Sequence, residues 1–145
     1  MSFKAFRIHQ QEKGVSAGFE QMQVDDLTEG EVVVRVSLSG INYKDALACD
    51  AHPGVARTLP LVPGIDVAGR LRSSFEAFTA GTPVVATGNG LGESLQGGFA
   101  TEVWVPPAAI IQRPEGLSAT AAMAMGTAGL TAILAVERLR SAIDW

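Results

Sequence analysis

Four polar side chains of different chemistry stand together directly after an apolar run, in Gly40-Ile41-Asn42-Tyr43-Lys44-Asp45. An amide, a phenol, an ammonium and a carboxylate can jointly orient a polar substrate. Asn42 can donate an amide N–H to a carbonyl oxygen and so stabilise negative charge as it develops there. The same spacing also suits a helix start, with Asn42 as the cap and Lys44 and Asp45 in solvent. Both readings stand on the residues alone.

Asp66 is the next candidate. It interrupts an apolar strand in Pro60-Leu61-Val62-Pro63-Gly64-Ile65-Asp66-Val67-Ala68-Gly69. A carboxylate there is either a site residue or a buried group satisfied by backbone N–H donors. Gly64 and Gly69 allow a close backbone approach or a bulge. Further on, Gly126-Thr127-Ala128-Gly129 joins two helical stretches, where small residues admit a neighbouring backbone or a flat ligand. Thr127 offers a hydroxyl there.

Other candidates fail on spacing. Gly88-Asn89-Gly90-Leu91-Gly92 resembles a dinucleotide turn, but Glu93 stands where the third glycine is needed and a strand, not a helix, follows. We read it as a loop. His9, His52 and the single Cys49 lack ligand spacing, so the expectation is no zinc and no internal disulfide. Cys49 has no neighbouring base and reads as a small apolar residue.

The elements that must position these groups are mostly strands. Lys4–His9, Val15–Val24, Val32–Ser39, Ile65–Leu71, Val84–Thr87 and Phe99–Val105 carry β-branched or alternating patterns. Glu29-Gly30-Glu31 reads as a turn and 42–48 as a helical turn. The pattern changes near residue 115. Ser118 suits the N-cap of a helix from Ala119, and a second helical stretch is expected from about Thr127 to Arg140. Leu130, Ile133, Leu134 and Val136 lie mostly on one face of it. The fold class expected is mainly β with C-terminal helices.

Composition bounds the rest. The 145 residues carry 47% hydrophobic and 18% charged side chains, which suits one globular domain. Net charge is -4 with no Lys/Arg cluster, so no nucleic-acid partner is expected. Residues 1–7 lack the apolar core of a signal peptide. Glycines and Thr127 interrupt the apolar stretch 119–136, which reads as a buried helical region and not a membrane span. A cytoplasmic protein is the expectation.

Four blocks in order resemble one family: Ser39-Gly40-Ile41-Asn42-Tyr43-Lys44-Asp45-Ala46, Pro60–Gly69, Gly97-Gly98-Phe99-Ala100, and Met125-Gly126-Thr127-Ala128-Gly129-Leu130-Thr131-Ala132. Together they are similar to the medium-chain dehydrogenase/reductase superfamily, in the zinc-free subgroup of quinone oxidoreductases and acryloyl-CoA reductases. The resemblance implies a GroES-like, partly open β-barrel over residues 1–117. It implies a helical crossover over 118–145, cut before a Rossmann domain that is absent here. It implies NADPH as cofactor and an enone, quinone or acyl-CoA substrate. Asn42, Tyr43 and Asp45 become the catalytic candidates, and Asn42, Tyr43 and Thr127 the cofactor contacts. Zinc relatives carry Cys near Asn42 and Gly-His-Glu at Gly64-Ile65-Asp66, and neither is present. Two functions follow: a reductase fragment with little activity alone, or a stand-alone module that forms homo-oligomers through its C-terminal helix.

Overall fold

A computed structural model describes residues 2–23 and 32–143. The expected turn at Glu29-Gly30-Glu31 and the strand end at Val24 lie outside the described residues. β1 (Ser2–Gln10) and β2 (Val15–Gln23) form an antiparallel hairpin, in register from Ser2 opposite Gln23 to Gln10 opposite Val15. β3 (Val32–Ser39), β4 (Asp66–Leu71), β5 (Pro83–Thr87), β6 (Glu102–Val105) and β7 (Ile111–Gln112) form a five-stranded antiparallel sheet, ordered β6-β3-β4-β5-β7. The sheets stay open, because no ladder joins β6 to β7 among the described residues.

The strands form where β-branched residues can fill one face. Val32, Val34, Val67, Leu71, Val84, Val103 and Val105 meet in the main core, where each buried side chain contributes about 1.5–3 kcal/mol. β3 and β4 slip register between Val36 and Leu38, opposite Gly69. A Cβ on Gly69 would lie 2.2 Å from the Arg35 carbonyl oxygen. Glycine at 69 therefore serves both the bulge and the close approach.

Two strand expectations shift. The segment 99–101 lies outside β6 and bridges two elements: Phe6 N–H donates to Phe99 O and Thr101 N–H to Lys4 O, each at 2.8 Å, while Thr101 O accepts the Val36 N–H of β3 at 3.0 Å. Those bonds dock the hairpin on the sheet. β7 is new, a two-residue edge strand against β5. It is too short for a periodic signal.

The helices are α1 (Tyr43–Cys49) and α2 (Ala119–Ala142), with Ser118 Oγ accepting the Ala121 N–H at 3.0 Å as the expected cap. α2 breaks at Gly126, where φ is 49° and ψ -158°, so a second helix starts at Thr127 as its sequence suggests. The buried reading of this region is corrected. Only Ala122 and Gly126 of α2 are buried, and Leu130, Ile133, Leu134, Val136 and Leu139 are 44–61% exposed. The apolar pattern marks a face that no described residue covers. By length and composition α2 could cross a membrane. The unbroken part, 127–142, spans about 24 Å at 1.5 Å per residue, short of a hydrocarbon core of roughly 30 Å.

Candidate functional site

The bulge in β3 delivers the chain to Gly40, and α1 starts two residues later with Asn42 as N-cap in an extended conformation. Asp45, three residues on, turns its side chain back. Its Oδ2 accepts the Asn42 N–H at 2.7 Å. Its Oδ1 accepts the N–H groups of Gly64 and Ile65, each at 3.0 Å. Asp45 is 1% exposed. The sequence placed it among the catalytic candidates or in solvent. Instead it lies beneath the site, holding the α1 start against the entry to β4.

Asp66 opens β4 and is also 1% exposed. Its Oδ2 accepts from Asn42 Nδ2 at 2.8 Å and from the Thr127 N–H at 2.9 Å, and its Oδ1 accepts from Thr127 Oγ1 at 2.6 Å. Three distant motif blocks therefore meet at one carboxylate. The small residues around it have a use that spacing left open. A Cβ on Gly126 would lie 2.5 Å from Asp66 Oδ2, and one on Gly40 3.3 Å from Asp66 Cβ. At Gly126 the close approach serves this carboxylate.

Tyr43 and Ile41 flank the cluster and stand 80% and 86% exposed. Exposed apolar and aromatic side chains beside a half-buried amide form a surface on which a flat ligand can rest. Lys44 is not simply solvated, since its Nζ pairs with Glu93 Oε1 at 2.9 Å. That pair ties α1 to the glycine loop. A mostly apolar cleft of about 630 Å³ lies alongside, lined by Lys4, Phe6, Phe19, Leu38, Ile41 and Phe99. It meets the cluster at Ser39 and Ile41 but does not include Asn42, Tyr43 or Thr127.

The glycine run 88–92 is a turn system, as its spacing suggests. Gly88, Asn89, Gly90 and Gly92 all have positive φ. Cβ positions on Gly92 and Gly97 would collide with backbone at Gly64 and Pro63. The run packs against the entry to β4, and no helix follows it. His9 bonds Glu20 at 3.0 Å, and His52 Nδ1 accepts the Gly54 N–H at 3.1 Å. Burial, and then the Asp45 and Asp50 carboxylates, raise the Cys49 thiol above its ordinary range. A thiol so shifted forms little nucleophilic thiolate near neutral pH. Among the described residues no group of three or more His, Cys, Asp or Glu side chains is arranged to hold a metal ion.

Asp66, whose role the residues alone left open, is the carboxylate on which the cluster converges. Its one signal was a carboxylate in an apolar strand.

The alcohol dehydrogenase GroES-like domain family matches residues 28–115. The probable acrylyl-CoA reductase AcuI of Escherichia coli (strain K12) is 41% identical over 140 residues, 96% of this chain and 43% of the relative. The putative quinone oxidoreductase YhfP of Bacillus subtilis (strain 168) is 40% identical over 138 residues, 94% of this chain and 42% of the relative. Among solved structures, the yhdH oxidoreductase from Salmonella enterica in complex with NADP superposes with a TM-score of 0.91 at 39% identity, over 96% of this chain and 43% of that one. Bacillus subtilis yhfP with NAD bound gives 0.90 at 39% identity, over 97% and 43%. The chain thus spans less than half the length of the relatives it matches.

Proposed function

Because the chain belongs to the alcohol dehydrogenase GroES-like domain family, we propose that it is the catalytic-domain portion of an NADPH-dependent reductase for α,β-unsaturated carbonyls, of the quinone or acyl-CoA type. The observation that carries this reading is the meeting of Asn42, Asp66 and Thr127. It unites three of the four blocks on which the resemblance rests.

The residues present suit the nicotinamide end of the cofactor. Asn42 offers an amide, Tyr43 and Ile41 an exposed wall, and Thr127 the first turn of a helix. The pyrophosphate half finds no match among the described residues, since the glycine run 88–92 does not open a helix. Hydride chemistry comes from the nicotinamide when it is bound. The chain's own part is orientation and polarisation. Asn42 carries two N–H groups, one committed to Asp66 and one able to hold the substrate carbonyl. Negative charge gathers on that oxygen during reduction, so a fixed donor lowers the barrier. Tyr43 covers the reacting face, and Asp45 keeps the α1 start in place beneath it.

The test joins this chain to the C-terminal remainder of the E. coli relative, from its first residue beyond the matched region. The joined protein is expected to oxidise NADPH with acrylyl-CoA, and Asn42→Ala to lower kcat/KM about 100-fold. A joined protein that binds NADPH yet turns over neither acrylyl-CoA nor a quinone would sink the proposal. The chain alone is expected to show no saturable NADPH binding at micromolar concentration.

A second reading is favoured by one observation, the exposed row Leu130, Ile133, Leu134, Val136 and Leu139 on α2. An apolar face of that size drives association. Alone, the chain pairs with a second copy through this helix. Light scattering over a wide concentration range should show a dimer, and Ile133→Asp should return it to monomer. A wild-type chain that stays monomeric throughout rules this reading out.

A further inference from the structure

Asn42 and Thr127, two of the residues to which the proposed function gives a task, bond the same buried carboxylate, which does not itself face an open surface. We propose that Asp66 is the positioning residue of the site. It selects which atom of the Asn42 amide is left for the substrate, and it caps the second half of α2. The inference rests on the reading of Asn42 and Thr127 given above.

A primary amide has nearly the same shape either way round, so packing does not distinguish its oxygen from its nitrogen. An ionised carboxylate can only accept. With Asp66 Oδ2 at 2.8 Å, the Asn42 nitrogen is turned toward Asp66 and one N–H is held. The second N–H then has a set direction. The capping box at the α1 start, where the Asn42 side chain also faces the Asp45 N–H, favours the same orientation; without Asp66 only that weaker contact opposes the flipped amide, whose oxygen repels a substrate carbonyl.

The other side of the carboxylate does the work of a helix cap. The helix that starts at Thr127 follows Gly126, which has no side chain to cap it. Asp66, 61 residues earlier in sequence, accepts both the Thr127 N–H and the Thr127 hydroxyl. Negative charge at a helix N-terminus is also favoured by the helix dipole. A side chain at Gly126 or Gly40 would crowd the carboxylate, with a Cβ at 126 only 2.5 Å from Asp66 Oδ2. A single group thereby fixes the donor at residue 42 and the direction of the helix that carries Thr127.

The test is NMR of the whole chain. In the wild type, the two protons of the Asn42 side-chain amide should differ, one bonded and protected and the other exchanging freely. In Asp66→Asn, which keeps shape but has one acceptor oxygen where Asp66 uses two, the difference in their exchange rates should shrink. The bonded proton should exchange about tenfold faster, the worth of one hydrogen bond, and the Thr127 amide should lose protection. Amides of Val84 and Val103 in the core should hold their positions. Thr127→Ser should match the wild type. Asn42 side-chain protons that exchange equally fast in the wild type overturn the proposal, whether or not the variant folds. So does an Asp66→Asn variant that leaves them unchanged, or that moves them only together with the whole sheet. Failure of NADPH turnover in the joined protein would remove the proposed function and leave this amide signature intact.

Discussion

Replacing Asp45 with alanine should lower the unfolding free energy by about 2–6 kcal/mol, the cost of leaving two buried backbone donors unpaired. Three backbone N–H groups lose their acceptor together: those of Asn42, Gly64 and Ile65. Each donor left buried and unpaired costs about 1–3 kcal/mol. Water can reach the Asn42 N–H, because Asn42 is half-buried, but the Gly64 and Ile65 donors lie in buried residues. Asp45→Asn keeps one acceptor oxygen and should cost less. Urea unfolding of the two variants beside the wild type measures both, with unchanged slope and a shifted midpoint expected. A loss below about 0.5 kcal/mol for the alanine variant, within the scatter of ordinary surface changes, would mean that the α1 start is held by something other than this carboxylate. The bond from the Asn42 N–H to Asp45 also places Asn42, so the loss should reach the site.

Gly69→Ala should be comparably severe. The added Cβ would sit 2.2 Å from the Arg35 carbonyl oxygen and 2.7 Å from Val34 Cγ1. A flexible side chain can swing away from such a contact, but a backbone oxygen inside a ladder cannot. β3 and β4 would have to part, in the middle of the five-stranded sheet. Overpacking of this kind usually costs about 1–3 kcal/mol, and a clash with ladder backbone falls at the top of that range or above it. Gly18→Ala is the control, since nothing lies within 4 Å of its Cβ position. Thermal unfolding should show a near-native midpoint for Gly18→Ala and a midpoint lower by roughly 10 °C for Gly69→Ala. Equal midpoints would mean that β3 and β4 can separate locally without cost. Because β4 carries Asp66 three residues earlier on the same strand, the damage should reach the Asn42 site as well.

The sequence carried much of the local structure. β3 and β4 lie where their β-branched runs predict, because a half-buried pleated surface selects those residues. Ser118 caps α2 because a short hydroxyl is suited to a free N–H at a helix start. Gly126 interrupts α2 where its run of small residues suggested. The bland reading of 88–92 also holds, since a dinucleotide turn needs a helix behind it. What local pattern misjudged was anything decided across the chain. The segment 99–101 has strand-like alternation, yet it divides its hydrogen bonds between β1, Val36 of β3 and Pro63 instead of forming a regular extension of β6. The apolar run of α2 suggests a buried helix, but hydropathy records only what a side chain prefers to touch and not whether a partner is there.

The candidate site divides the same way. By itself, the sequence determined the chemical types present: an amide at 42, a phenol at 43, carboxylates at 45 and 66, a hydroxyl at 127, and too few soft ligands for a zinc centre. It also determined the family, through motif blocks whose order survives without any structure. Only the tertiary structure decided which of those groups work together. Asn42 and Asp66 are 24 residues apart, and Asp66 and Thr127 are 61 apart. No periodicity links positions at such separations. The β3–β4 register and the break at Gly126 bring them within hydrogen-bond reach, and burial then forces every donor there to find an acceptor. That requirement made Asp45 a support for the backbone and Asp66 the group that aims the site, although their side chains are chemically the same.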